Sequence, residues 1–323
     1  MADHQPTIER ITLPTPYLVG PVHVYLIRSK EFEILIDTGP PTDAAWTALH
    51  TAIDPSRLDA LLLTHCHPDH YGLAARLAND YAIPVYLSRR DAAFFGRENE
   101  YLDGMLAQAA LLGVPSDEQG RVRDALGSAR RGIAPPLNFC FLEEAGDELG
   151  RYGISALHCP GHSQGDHVFL VGNQAIDGDV LIAGALPVPL LDVRAEDFGR
   201  RFENYPAWCK ALARLGQLGE VTLLPAHGDA ISAIAAEIGV LVTRLLDRAA
   251  SLAPMLKGQD DLYALGCALY AQRFEQPFVQ YLKLSELVFM RDLLIAPTLL
   301  LDALDSARLA SPFRQRFVSL PQL

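Results

Sequence analysis

The chain is short of cysteine, of basic residues and of long apolar runs, and each shortage removes a class of protein. Its five cysteines, Cys66, Cys140, Cys159, Cys209 and Cys267, are odd in number and widely spaced, and none forms a CxxC pair. That pattern excludes a disulfide framework and fits a reducing compartment. Lys and Arg number 27 against 39 Asp and Glu, a formal net charge of −12. Such an acidic chain carries no electrostatic footprint for nucleic acid or an anionic membrane, so neither is expected as a partner. The longest apolar stretch near the end, "LLIAPTLLL", is too short to cross a bilayer and holds a proline. The first residues, "MADHQPTIERITLPTP", lack an apolar signal core, so a cytoplasmic location is expected. No tract of biased composition and no fixed-period repeat occurs.

What remains is ample for folding. Of the 323 residues, 50% are apolar and 20% charged, enough to bury a large core. "VHVYLIR" (22–28) and "FEILIDTG" (32–39) read as strands around the charged turn "SKE". "TDAAWTALHTAI" reads as a helix capped by Thr42 or Asp43, "LDALLLTH" as a buried strand, "GLAARLANDY" as a helix and "PVYLS" as a strand. Alternation of this kind predicts an α/β layered core. From about 89 to 137 the chain turns Ala-, Arg-, Glu- and Leu-rich, a helical insertion lying over that core. "ISALHCPGH" and "HVFLVGNQAIDGDVLIAG" return to strands and turns, and "VTLLP" is a strand leading into "AHGD". After residue 231 nearly everything has helical spacing, which predicts a metal-binding domain over 1–230 and a helical domain over 231–323.

The chemistry sits in the loops that follow apolar strands. "THCHPDH" places His65, His67, Asp69 and His70 within six positions. His162 in "CPGHSQGDH", Asp179 in "DGD" and His227 in "PAHGD" occupy glycine-flanked loops of the same kind. Five imidazoles and two carboxylates are too many ligands for one tetrahedral ion, which in a catalytic site takes about three protein groups and a water. They suit two ions with one shared ligand. Residues two apart in an extended segment project to the same side, so His65 and His67 can approach one ion together. Pro68 disfavours helix at the two residues before it, which frees Asp69 and His70 to turn toward a second ion. The same alternation points Cys66 away. His4, His23, His50 and His158, each isolated, read as ordinary hydrogen-bonded histidines.

Taken together, "ILIDTG", "THCHPDH", "CPGHSQGDHVF", "DGDVL" and "LLPAHGD" resemble the five ordered motifs of the metallo-β-lactamase fold superfamily, over roughly residues 18 to 230. The resemblance implies a four-layer αββα sandwich with a dinuclear site at one edge. It implies that His65, His67 and His162 hold one metal, that Asp69, His70 and His227 hold the other, and that Asp179 bridges them. Asp37 would take the supporting role of the motif aspartate. Flavodiiron-type members usually carry glutamate where His67 stands, so two Zn2+ per chain are expected, with Mn2+ or Fe2+ as alternatives. Exported lactamases of this fold often lack one ligand of the second site, and nucleic-acid-processing members carry a large inserted domain that is missing between Asp179 and His227. The branch that remains is similar to glyoxalase II-like thioesterases and lactonases.

The expected activity is hydrolysis of an ester-like carbonyl, a thioester or lactone, by a metal-bridging hydroxide, with Asp69 shuttling a proton. A weakly hydrolytic binding or pathway accessory protein and a phosphodiesterase of the same fold are the alternatives. Asp166 and Asp229 are candidates to orient imidazoles, and Tyr71 to meet a substrate carbonyl. Arg89, Arg90, Arg97 and Arg131 are candidates for a substrate anion. The apolar insertion and the C-terminal helices would roof the site over a small-molecule substrate, and the face of "FVQYLKLSELVFMRDLLI" would serve a homodimer.

Overall fold

A computed structural model describes residues 6–130, 132–185 and 189–323; His4 and Arg131 lie outside the described residues. The first sheet has six strands in sequential order: β1 (Thr7–Leu13), β2 (Val22–Arg28), β3 (Glu33–Ile36), β4 (Ala60–Leu62), β5 (Val85–Leu87) and β6 (Phe139–Phe141). The first three pair antiparallel and the rest parallel. β7 (Ile154–His158), β8 (His167–Val171) and β9 (Gln174–Gly178) begin the second sheet. A hairpin of β10 (Val193–Arg194) and β11 (Asp197–Arg201) stands apart, and β12 (Thr222–Pro225) then pairs parallel with β9.

β2 shows why the sheets stack. Val24 and Leu26 point to a core shared with Leu49 of helix Asp43–Ala52 and Leu77 of helix Ala74–Tyr81. Tyr25 and Ile27, one step out of phase, point to a core shared with Phe169, Ile176 and Leu224 of the second sheet. The two-residue period of a strand buries both faces, which is why "VHVYLIR" reads as an almost unbroken apolar run. On its far side the second sheet gives Val168, Ala175 and Leu223 to a core with Trp208 and Leu212 of helix Asn204–Gly216 and Leu241 and Leu245 of helix Ile234–Leu256. The architecture is therefore helix, sheet, sheet, helix, the expected αββα sandwich.

Thr42 is the cap of the first helix, accepting from the Ala45 N–H at 3.2 Å. The 89–137 stretch is helical over Arg89–Ala92, Glu98–Leu111 and Ser116–Arg130. Its Met105, Ala109 and Leu112 share one core with Leu262, Phe274 and Tyr281 of the C-terminal helical region. Gly104 leaves no room for a side chain against the Phe198 carbonyl, so the insertion lies directly on the hairpin. Among the described residues no helix is long and apolar enough to cross a membrane.

β3, β4, β9 and β12 all end at the same edge, as does β7, and the two sheets are stitched there. The His167 N–H donates to the Thr64 carbonyl at 2.9 Å, and the Tyr25 hydroxyl donates to the Pro225 carbonyl at 2.6 Å. In open α/β architectures this is the edge at which ligands are met.

Candidate metal centre

His67 has extended backbone (φ −78°, ψ 152°), and Pro68 then opens a single helical turn, Pro68–Tyr71. Proline suits the first position of a helix, where its missing N–H costs nothing. The change of backbone within six residues brings His67 and His70 to opposite flanks of His65, which lies in a donor group with each of them. The remaining three groups arrive from the second sheet: His162 from the β7–β8 loop, Asp179 directly after β9, and His227 directly after β12.

All seven side chains converge. His67 Nδ1 lies 2.9 Å from both His65 Nε2 and His162 Nε2. His227 Nε2 lies 3.4 Å from Asp69 Oδ2, and His70 Nε2 lies 3.8 Å from Asp69 Oδ1. Asp179 stands between the two groups. One of its oxygens is 3.5 Å from His162 Nε2 and 3.6 Å from His70 Nε2, and the other is 3.7 Å from His227 Nε2. The donor atoms form three tight groups, each able to hold a cation: His65, His67 and His162; His65, His70 and Asp179; Asp69, His70 and His227.

The opposite ring nitrogens are tied down. His70 Nδ1 is 2.8 Å from the Asp37 carboxylate, His227 Nδ1 is 2.8 Å from the Pro21 carbonyl, and His65 Nδ1 is 3.1 Å from the Thr64 hydroxyl. Asp37 also accepts the Thr64 N–H and hydroxyl, at 2.8 and 2.7 Å, and sits in the left-handed region at φ 60°. Fixing one nitrogen of each ring sets its tautomer and aims the other inward.

Charge follows from this packing. Burial, reinforced by the surrounding imidazoles, holds His65 well below the ordinary histidine range. Burial opposes charge on His70 as well, but the Asp69, Asp179 and Asp37 carboxylates together outweigh it and raise His70 well above that range. Asp179 goes the other way: burial favours its acid form, and His70, His162 and His227 overcome this and hold it ionised.

The residues fit a pair of cations. His70 Nε2, His227 Nε2 and Asp179 Oδ1 are buried and have no hydrogen-bond partner among the described residues. Buried polar atoms are nearly always satisfied, and three unsatisfied ones within a single cluster of imidazoles and carboxylates are what metal ligands leave when the protein's own bonds are counted. Imidazole and carboxylate donors together suit zinc and neighbouring divalent ions.

A sequence profile of the metallo-beta-lactamase superfamily matches residues 17–227. The chain belongs to the metallo-beta-lactamase superfamily. Within it, the chain is 30% identical over 244 residues to "Probable metallo-hydrolase YqjP" of Bacillus subtilis (strain 168), an alignment covering 71% of this chain and 73% of that one. A crystal structure of a metallo-beta-lactamase family protein from Thermus thermophilus superposes with a TM-score of 0.71 at 23% identity, covering 88% of this chain and 93% of that one. A beta-lactamase domain protein from Burkholderia ambifaria gives 0.65 at 16% identity, covering 90% and 87%. The superfamily match ends at residue 227, and both superpositions cover more of the chain than it does, so they reach into the C-terminal helices.

The supporting residues differ from expectation. Asp166 stops 4.0 Å short of His65 Nδ1 and instead accepts the Ser163 N–H and hydroxyl, each at 2.7 Å. Asp229 is exposed, and the Pro21 carbonyl orients His227. Tyr71 is buried in the first core beside Phe95, so it packs the fold. Arg89 and Arg97 pair with Glu144 and Glu100; Arg90 pairs with Glu143 and also lines the cavity beside His67, where a substrate-anion role stays open to it. Cys66 is buried in the outer core, stands in none of the three donor groups and also borders the cavity beside His67. His23, His50 and His158 are hydrogen-bonded to neighbouring groups. Beside His67 opens a cavity of about 20 Å³, lined by Phe94, Tyr101 and Phe198 together with Asp91, Gln164 and Asp192. That is room for about one water molecule.

Proposed function

We propose that this chain is a dinuclear metal-dependent hydrolase that cleaves an ester-like carbonyl, a thioester or lactone, in a small-molecule substrate. Three of the five partnerless buried side-chain atoms among the described residues, His70 Nε2, His227 Nε2 and Asp179 Oδ1, belong to this cluster and carry the reading. His65, His67 and His162 would hold one ion, Asp69, His70 and His227 the other, and Asp179 both. A pair of divalent cations, Zn2+ by the all-histidine first group, supplies Lewis acidity and brings the pKa of a water toward neutrality when bound.

The chain's own groups do the rest. Asp69 is ionised: burial opposes its charge, and the adjacent His70 and His227 overcome that opposition. Its place between His227 and His70 would let it take the proton shed by an attacking water and return it to the leaving group. Asp37 and the Pro21 carbonyl keep His70 and His227 from rotating during that exchange. The small cavity lined by Phe94, Tyr101 and Phe198, borne by the insertion and the hairpin, would limit water beside His67 to about one molecule. Five free thiols suit work in a reducing compartment, the cytoplasm.

Metal analysis of protein dialysed against zinc tests the reading, together with a panel of acyl-CoA, S-acylglutathione, homoserine lactone, penam and phosphodiester substrates. About two ions per chain and turnover of a thioester or lactone are expected, with Asp69→Asn losing hydrolysis by at least about 100-fold. Turnover of the phosphodiester alone, or no bound metal, would falsify it.

A further inference from the structure

The short helix Arg89–Ala92 opens the insertion and carries "SRRD", with Ser88 as its cap, accepting from the Arg90 N–H. An acidic residue in that third helical position ordinarily reaches back to its own cap. Asp91 does something else. Its carboxylate accepts the N–H of Cys66 at 3.0 Å, and Cys66 is the residue between His65 and His67. Asp91 is only 6% exposed although it belongs to a surface insertion.

The same carboxylate presses on a second loop. A Cβ added to Gly165 would lie 2.2 Å from Asp91 Oδ2, 2.3 Å from Cγ and 2.4 Å from Oδ1. Gly165 is three residues from His162 and supplies the carbonyl that accepts from the His167 ring at 2.7 Å. Asp91 therefore stands at the junction of the two loops that carry the three-imidazole group. It bonds the backbone of one and butts against the backbone of the other.

We propose that Asp91 is a positioning residue for the His65, His67 and His162 group: its carboxylate sets the spacing of the two histidines around Cys66 and seats the His162 loop against them. The inference rests on the metal-hydrolase reading for its consequence, and on the hydrogen bond and the glycine contact for its geometry. It gives the insertion a second duty beyond roofing the site. Supporting residues of this kind typically change metal affinity by roughly 10- to 100-fold when removed.

Two variants separate the role. Asp91→Asn keeps an oxygen that can accept the Cys66 N–H, whereas Asp91→Ala removes it. In metal-free protein, amide exchange at Cys66 is expected to quicken at least about tenfold in Asp91→Ala and to stay near wild type in Asp91→Asn. In protein titrated with Co2+ under a competing chelator, Asp91→Ala is expected to lose the more histidine-rich of two absorption signatures and fall from about two ions toward one. Asp91→Asn is expected to retain both. A merely structural residue would weaken both ions together and would not be rescued by asparagine.

If Asp91→Ala loses its cooperative melt, Gly165→Ala, which displaces the same carboxylate from the other loop, is expected to give the same selective loss. Unchanged Cys66 exchange overturns the inference, as does quickened exchange with both ions retained. Wild-type protein that binds no metal overturns the hydrolase reading instead, and the exchange measurement still decides the role of Asp91.

Discussion

The carboxylate of Asp37 lies 2.8 Å from Nδ1 of His70, and the same side chain accepts both polar hydrogens of Thr64. One aspartate thus holds a ring from the second ligand group and the residue preceding His65 in the first. Asp37→Ala would remove the acceptor of three buried donors, the Thr64 N–H and hydroxyl and the His70 imidazole, costing about 1–3 kcal/mol for each left unpaired. Metal affinity is expected to fall by roughly 10- to 100-fold, with Asp37→Asn losing less. Unfolding curves and competition with a chromogenic chelator check this.

Gly178 sits between Asp177 and Asp179 at φ 57°, and a Cβ there would lie 2.8 Å from the Thr64 hydroxyl. Gly178→Ala combines left-handed strain with overpacking, an expected loss of about 2–4 kcal/mol. Because Thr64 is the residue pushed, zinc content should fall as well. A stable variant with full zinc occupancy would contradict the packing described.

His167 is buried beneath the His162 loop, and burial lowers its pKa from 6.5 to about 4. The unfolded chain therefore binds the proton first as pH falls, so folded stability drops between pH 6.5 and about 4. The full shift corresponds to roughly 3 kcal/mol. In metal-free protein His167→Asn is expected to flatten that part of the pH–stability curve relative to wild type, read by urea unfolding at pH 7 and pH 4.5.

Zinc should stabilise the fold by mass action, since the ligands come from loops that only tertiary packing brings together and the unfolded chain does not hold them in place. At 100 times its dissociation constant each ion adds about 2.7 kcal/mol. Differential scanning calorimetry across a zinc series should show a rising midpoint. His227→Ala, which removes a ligand of the second group only, should show a smaller rise.

The strand Val22–Arg28 is readable from the chain because both of its faces are buried, so it stands out as an almost unbroken apolar run. The site was readable because its chemistry is concentrated: "THCHPDH" holds four of the seven groups in six residues. The hairpin Val193–Arg201 escaped notice because "VRAEDFGRR" is mostly polar and its pairing depends on contact with Gln164 and the insertion. β1 is hard to read because only Ile11 and Leu13 of "TIERITL" are fully buried, Ile8 packing on the other core from a half-buried position. Asp91 escaped for a different reason. Its partner is 25 residues back in the chain, and "SRRD" by itself means only a helix start. Asp166 and Asp229 misled because nearness in sequence to a ligand histidine does not decide which atom faces its ring.

β12 enters the second sheet parallel to β9 and only then delivers His227. During synthesis the six strands of the first sheet, the hairpin β7–β8 and Asp179 all emerge earlier, so a nascent chain exposes six ligands before the seventh exists. The donor group of Asp69, His70 and His227 therefore waits on the last strand of the second sheet, whereas the group of His65, His67 and His162 is complete without it.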